Sequence, residues 1–579
     1  MSIISYYNEE EKGKVLENLT CNVKQIQDDL LKEIVTLNSG TEYLQNFLHG
    51  SSAKELFKKN VPIVTYKDVK PYIDRVANGE SSNIISALPI TNLFNSSGTS
   101  GGANKILPSN SKFLDGNAFI NDLIAHVISK HMKGVERGKG MHFFLTGHEI
   151  KSPGGLPIED AISWYLKSDH FKNRPSIWFY SYTSPDEIML GSDLKQNLYC
   201  HLLCGLVQRD EVTRFGSTFA SGIVRVIKVL EDSWKELCSD IRSGHLSEWI
   251  TDSGCRNSVS MVLGGQPRPK LSDEIENICS QKSWKGIMKK LWPQTMYVEA
   301  VVTGSMVQYV PTLEHYCDDL PLVSIGYASS ESMFGINTDP LCKPEDTSYT
   351  LLPNLSYFEF IPTEGGNGDV VDLADVKLGC SYQLLITNLW GLYRMRIGDI
   401  VKVTGFHNKA PKLKVIGREN TLLSIDTDRT TEEYLLKAVN RARLVLESSD
   451  LKLVNFTSYA DISSSPGHYV IYWEVKAKEE DMKDLDEKTL LECCLVMEDT
   501  FDEEYMYCRS NEFLGPLEIR VVNDGTFDSL MNLSISKGAS ITQYKTPTCI
   551  ISEEGLQVLE TNVVARFFST LKASHVLKP

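Results

Sequence analysis

At 579 residues the chain is too long for one hydrophobic core, so two or more domains are expected. Hydrophobic residues make up 42% and charged residues 23%, an ordinary globular composition that excludes disorder, collagen and repeat arrays. The formal charge of -16, from 59 basic and 75 acidic residues, sets the surface against phosphate backbones and anionic lipid, so no nucleic-acid or membrane partner is expected.

The opening, MSIISYYNEEEKGK, lacks the basic end and long apolar core of a signal peptide, and no run of about 18 apolar residues marks a membrane helix. Thirteen cysteines without a C-x-x-C pair suit reduced thiols, and a cytoplasmic monomer is the expectation. Val23, Ile26, Leu30 and Ile34 recur at helical spacing. In LYCHLLCGLV, Cys200, His201 and Cys204 could ligate a metal, but one buried helix face is the simpler reading. Val224, Ile227, Leu230, Trp234, Leu237, Cys238 and Ile241 form a further helical stripe.

From about 297 the runs YVEAVV, PLVSIGY, YFEFIP and QLLITN alternate with Gly, Pro and Asn, which predicts strands. Tyr393, Met395 and Ile397 alternate with Arg394 and Arg396, giving a strand, a tight turn at Gly398-Asp399 and a second strand. Beyond 420, Thr430 with Glu433 resembles a capping box opening the helix EEYLLKAVNRARLVL. HYVIYWEVK places Tyr469, Ile471, Trp473 and Val475 on one strand face, PLEIRVV alternates too, and KEEDMKDLDEK reads as a solvated loop. The expected fold class is α/β (mixed α+β), with a large domain over 1–418 and a small mobile α+β domain over 419–579.

The segment from Asn95 to Gly102, NSSGTSGG, is dense in hydroxyls and glycines whose amides and O–H groups can wrap phosphate oxygens. It is not a Walker loop, since no Gly-Lys-Ser/Thr follows. A Ser/Gly linker is the bland alternative, yet well-patterned apolar segments flank it. Tyr327-Ala328-Ser329-Ser330-Glu331 follows a strand-like run, with an aromatic ring suited to a purine and a carboxylate suited to magnesium. Asp399 offers two acceptors for vicinal ribose hydroxyls, although Gly-Asp is also a common turn pair. Gly417-Arg418-Glu419-Asn420 marks the seam between domains, and Lys545 sits in the late loop QYKTP.

Each motif alone is modest, but their order resembles the acyl-adenylate-forming superfamily. Within it the chain is similar to the plant Gretchen Hagen acyl-acid amido synthetases. The resemblance runs nearly end to end through KNVPIVTYKDVKPYIDRV, SSGTSGG, SYTSPDE, LYCHLL, VVTGSM, YASSE, GLYRMRIGD, PGHYVIYWE, GPLEIRVV and QYKTP. It is greatest to members that join glutamate to substituted benzoates and isochorismate.

The resemblance implies an ATP- and Mg2+-dependent ligase joining a small aromatic or cyclic carboxylic acid to an amino acid, with AMP and pyrophosphate released. It assigns Ser96, Ser97 and Thr99 to phosphate, and Ile325, Gly326, Tyr327, Ala328, Ser329 and Ser330 to the adenine and phosphate pocket. It sets Glu331 on magnesium, Asp399 on ribose, Arg418 and Arg429 beside the nucleotide near the hinge, and Lys545 as the mobile-domain catalytic lysine. Three positions depart from the family pattern. Ala328 replaces a glycine and Arg429 replaces a lysine. In the acyl pocket, Asn121 and Ile124 stand where the benzoate type has an aromatic residue and an arginine, so the acid is expected to differ. A coenzyme A ligase and a non-catalytic ATP- or acid-binding regulator are the rival classes.

Overall fold

The computed structural model describes residues 9–571, apart from 101–102, 145, 147–148, 192, 364–368, 419–421, 450, 478–486 and 537–545. Contacts divide the chain into two units, residues 1–96 with 105–419, and residues 97–104 with 420–579.

In the first unit, the stripe beginning at Val23 forms the helix Val23–Asn38, which buries Val23, Leu30, Leu31, Ile34 and Val35. The later stripe forms Ala220–Ser243 and buries Ile223, Val226, Ile227, Leu230, Leu237, Cys238 and Ile241. The helix Leu194–Val207 buries every residue from Asn197 to Leu206, so it lies inside the protein rather than presenting one buried face. Its His201 meets Ser184 Oγ through Nδ1 at 2.7 Å, and burial pulls the imidazole down to about 4. Among the described residues no group of three His, Cys, Asp or Glu side chains could hold a metal.

Strands Lys139–Phe143, Val212–Phe219, Tyr297–Val301 and Leu322–Val323 form a parallel four-stranded sheet. A second, eight-stranded sheet runs in the order 371–372, 357–362, 381–387, 395–407, 410–418, 349–351, 333–336 and 326–328. The turn expected at Gly398-Asp399 is absent, because Met395–His407 continues through it as one strand. Gln383 and Leu385 oppose Ile400 and Arg396, so the longer strand bulges there, with Gly398 at φ +88°. Just before this strand, Arg394 is buried and forks onto both Glu359 oxygens at 2.9 Å. Its remaining nitrogen donates to the Lys58 and Val61 carbonyls, fastening an N-terminal segment to the sheet.

The second unit contains a sheet ordered Leu451–Asp461, His468–Ala477, Glu518–Val522 and Val563–Phe568. His468–Ala477 is central and buried on both faces. Tyr469, Ile471 and Trp473 enter one apolar cluster, whereas Val470 and Tyr472 enter another. The alternation read from the sequence is therefore real, but it divides two cores rather than core from solvent.

The helix Glu432–Ser448 is capped by Thr431, whose side chain accepts from Tyr434 N–H at 3.4 Å. Thr430, the residue expected to cap, instead exchanges backbone bonds with Leu423. Most of KEEDMKDLDEK lies outside the described residues, and its last two residues open the helix Glu487–Glu498. No helix among the described residues is long and apolar enough to cross a membrane.

Candidate active site

The chain leaves the parallel sheet at Leu322–Val323, joins the edge of the eight-stranded sheet at Gly326–Ala328, and turns back through Met333–Ile336. Tyr327 pairs with Gly335 in this hairpin. A Cβ on Gly335 would stand 2.2 Å from the Thr350 carbonyl, so only glycine admits the neighbouring strand. The entry is pinned by Ser324, whose hydroxyl meets the buried Tyr349 hydroxyl at 2.7 Å and whose carbonyl accepts from Asn337 Nδ2. The Ile325 carbonyl accepts from Asn337 N–H at 2.9 Å.

Tyr327 is 8% exposed, with its ring against Phe334 and Tyr349 at centroid distances of 4.5 and 5.6 Å. Its hydroxyl donates to Asp399 Oδ2 at 2.7 Å. Asp399 is itself buried and lies opposite Arg418 in the next strand. Two residues past the half-buried Ser329, Glu331 is 2% exposed. Its Oε2 accepts from Ser329 Oγ at 2.6 Å, while Oε1 has no hydrogen-bond partner among the described residues. A buried carboxylate oxygen without a donor is costly, and a bound cation is one group that would satisfy it. Ala328 is exposed and Ser330 half-buried on the same turn.

The helix Ser111–His131 borders this segment. Its start is capped by Asn110, whose Oδ1 accepts from Lys112 N–H at 3.0 Å. Asn121 is half-buried, and burial pushes the nearby Tyr165 phenol well above its ordinary value. Ile124 is 4% exposed in a cluster with Leu123, Phe179, Tyr180, Val323 and Ile336. Its Cδ1 lies 3.8 Å from the position of a Cβ built on Gly326, so this isoleucine packs against the strand that carries Tyr327.

The first unit thus brings together Ile325 to Glu331, Asp399 and Ile124, with Asn121 three residues before Ile124 on the helix Ser111–His131. Ser96, Ser97 and Thr99 follow one another along the strand Asn92–Ser100, but their side chains lie outside what is described, as does that of Arg418. Lys545 falls wholly outside the described residues. Arg429 belongs to the second unit and is half-buried. There, burial pushes the Glu504 carboxyl up to about 8, an effect moderated by the Thr427 hydroxyl and then by the Arg429 charge.

The sequence marks Asn388 only as the last residue of the strand-like run QLLITN, yet it is fully buried and donates through Nδ2 to the Glu331 carbonyl at 3.1 Å. An Asn ending a strand carries no local mark of such a partner 57 residues away.

Three models of the GH3 family match the chain, the N-terminal domain at residues 12–322, the central domain at 349–418 and the C-terminal domain at 433–554. The 4-substituted benzoates-glutamate ligase GH3.12 of Arabidopsis thaliana is 64% identical over 563 residues, covering 96% of this chain and 98% of its own length. The indole-3-acetic acid-amido synthetase GH3.17 of the same plant is 50% identical, with 97% of each chain covered. Among solved structures, the GH3.15 acyl acid amido synthetase in complex with 2,4-DB aligns with a TM-score of 0.71 and 46% identity over 98% of both chains.

Proposed function

The chain belongs to the GH3 family, and from that footing we propose that it is an acyl-acid amido synthetase. It activates a small carboxylic acid with ATP and joins the acyl group to an amino acid. An aromatic or cyclic acid of the benzoate, chorismate or isochorismate type and an amino acid such as glutamate are the proposed substrates, supported by the 64% identical relative. The structural observation that carries the reading is the buried Glu331 carboxylate with Oε1 unsatisfied, on the turn whose Tyr327 is bonded to Asp399.

In the first half-reaction a carboxylate oxygen of the acid attacks the α-phosphorus of ATP. The bond from that phosphorus to its bridging oxygen breaks, and pyrophosphate leaves with the electron pair. In the second, the amino-acid nitrogen attacks the acyl carbon, the carbon–oxygen bond to AMP breaks, and the amine releases a proton. The protein supplies positioning and charge stabilisation rather than covalent chemistry.

Asp399, held by Tyr327, accepts from the ribose hydroxyls. Residues 325–330 line the base and phosphates, with the hydroxyls of Ser96, Ser97 and Thr99 on the phosphates. Glu331 would hold Mg2+, which when bound offsets phosphate charge. Arg418 and Arg429 serve the nucleotide, and Lys545, on a small domain beyond residue 418, meets the charge that develops during adenylation. Asn121 and Ile124 face the acid. The formal charge of -16 supports a protein that binds neither nucleic acid nor membrane, the thirteen unpatterned cysteines support a cytoplasmic location, and a monomer is proposed alongside.

Product analysis tests the reading. Turnover of acid, amino acid and ATP should yield AMP, pyrophosphate and the amide in equal amounts. Stoichiometric ADP would overturn the adenylation route, and a thioester formed with coenzyme A but no amide would favour a coenzyme A ligase.

A further inference from the structure

We infer that Asn388 is the positioning residue for the Glu331 carboxylate and so sets how tightly the site takes Mg2+ with ATP, an inference that rests on the reading of Glu331 given above. Asn388 ends the strand Ser381–Thr387 and is 0% exposed, a place where an amide is tolerated only if its polar atoms are satisfied. They are. Oδ1 accepts from the backbone N–H groups of Trp390 and Leu392 at 3.2 and 3.1 Å, and the Asn388 N–H donates to the Leu392 carbonyl at 2.9 Å. These bonds close a tight loop through Gly391, whose φ is +105° and where a Cβ would stand 3.0 Å from the Ile85 carbonyl. The amide is thereby aimed, and Nδ2 delivers one hydrogen to the Glu331 carbonyl at 3.1 Å.

Glu331 is consequently gripped from two sides. Ser329 Oγ accepts from its N–H at 3.3 Å and donates to Oε2 at 2.6 Å, and Asn388 holds its carbonyl. With backbone and Oε2 both fixed, the direction of the unsatisfied Oε1 is fixed as well. Both functions of the amide are needed at once, an acceptor toward the loop and a donor toward Glu331, and only Asn among side chains of this size has both. Groups that orient a metal ligand from behind typically change metal affinity by about 10- to 100-fold when altered.

The test is ATP binding without turnover. Titration calorimetry of ATP is run with no acid present, once in Mg2+ and once in EDTA, and the ratio of the two dissociation constants reports the metal contribution. Asn388→Asp keeps size and both acceptor bonds but replaces the donor toward Glu331. It should cut that ratio by about tenfold while leaving the EDTA value within about twofold. Glu331→Gln should abolish the ratio, and the double variant should be no worse than Glu331→Gln alone.

If Glu331→Gln keeps the wild-type ratio, the metal assignment itself fails. If it loses the ratio but Asn388→Asp does not, or if Asn388→Asp weakens binding equally in both buffers, Asn388 is a loop staple and the inference is overturned. Should Asn388→Asp not fold, Asn388→Ser is titrated in the same way, and the same two outcomes decide.

Discussion

The Tyr327 hydroxyl and Asp399 Oδ2 lie 2.7 Å apart although their strands are four places apart in the same sheet. At about 4.8 Å per step a flat sheet would separate them by roughly 19 Å, farther than a tyrosine reaches. The sheet is therefore coiled, in the sense that strand twist dictates, and the tyrosine spans its concave side.

Tyr327→Phe removes one donor from Asp399 and leaves the ring packing intact. ATP affinity should fall by about 0.5–1.5 kcal/mol, and by more in Asp399→Ala. Equilibrium binding checks both. Equal affinity in all three proteins would make the Tyr327–Asp399 bond purely structural.

The Arg394–Glu359 pair is buried and bidentate, so removing one partner strands a charge. Glu359→Ala should destabilise the first unit by about 3–5 kcal/mol, visible in urea unfolding. A loss below about 1 kcal/mol would mean that water replaces the missing carboxylate.

Ile124 tests the acid site from the apolar side. Ile124→Ala should cost about 2–5 kcal/mol of stability and shift preference toward bulkier acids. Ile124→Arg, even beside Asn121→Tyr, should lower the melting temperature through a buried unpaired charge. A stable double variant whose acid preference is unchanged would mean that residue 124 does not face the acid.

Lys545→Ala should slow acyl adenylate formation by about 2–4 kcal/mol at the transition state and spare attack by the amine on preformed adenylate. Rapid-quench measurement of each half-reaction decides. Equal slowing of both steps would remove the lysine's assignment to the first.

Glu504 gives a pH signature. Its folded value, about 8 against an ordinary 4.5, means that the native state binds more protons than the unfolded chain between those values. Its stabilising contribution is complete below about 4.5 and is lost as pH rises through 8, at up to about 1.4 kcal/mol per unit. Asp428, raised to about 6 by burial, acts in the same sense. Melting of Glu504→Gln should accordingly gain on the natural protein between pH 6 and 8.5. A constant difference across that range would refute the protonated state.

Much of the fold was legible where periodicity is local. The stripes at 23–34 and 224–241 became helices because each has one apolar face and one polar face. Legibility failed where both faces are buried, as in Leu194–Val207 and His468–Ala477, since a pattern cannot reveal a second layer. The strand running through Gly398 was read as a turn because glycine serves a bulge and a turn equally, and the choice lies with strands 381–387 and 410–418. At the candidate site, residue type and order single out Tyr327, Glu331 and Asp399, and the fold brings Tyr327 onto Asp399. Ser324, Tyr349, Glu359 and Asn388, which hold the surroundings in place, carry no signature outside the folded chain.

The coiled sheet also makes the site a late event in the life of the chain. Tyr327 meets Asp399 only after strands 326–328, 333–336, 349–351, 410–418 and 395–407 have paired in turn, and the pairing of 349–351 with 410–418 is remote in sequence and slow to search. A half-assembled molecule has the residues but not the site. Immobilised ATP would on this account retain finished molecules and pass over collapsed ones, so nucleotide capture would sort a refolding mixture by completeness of this one sheet.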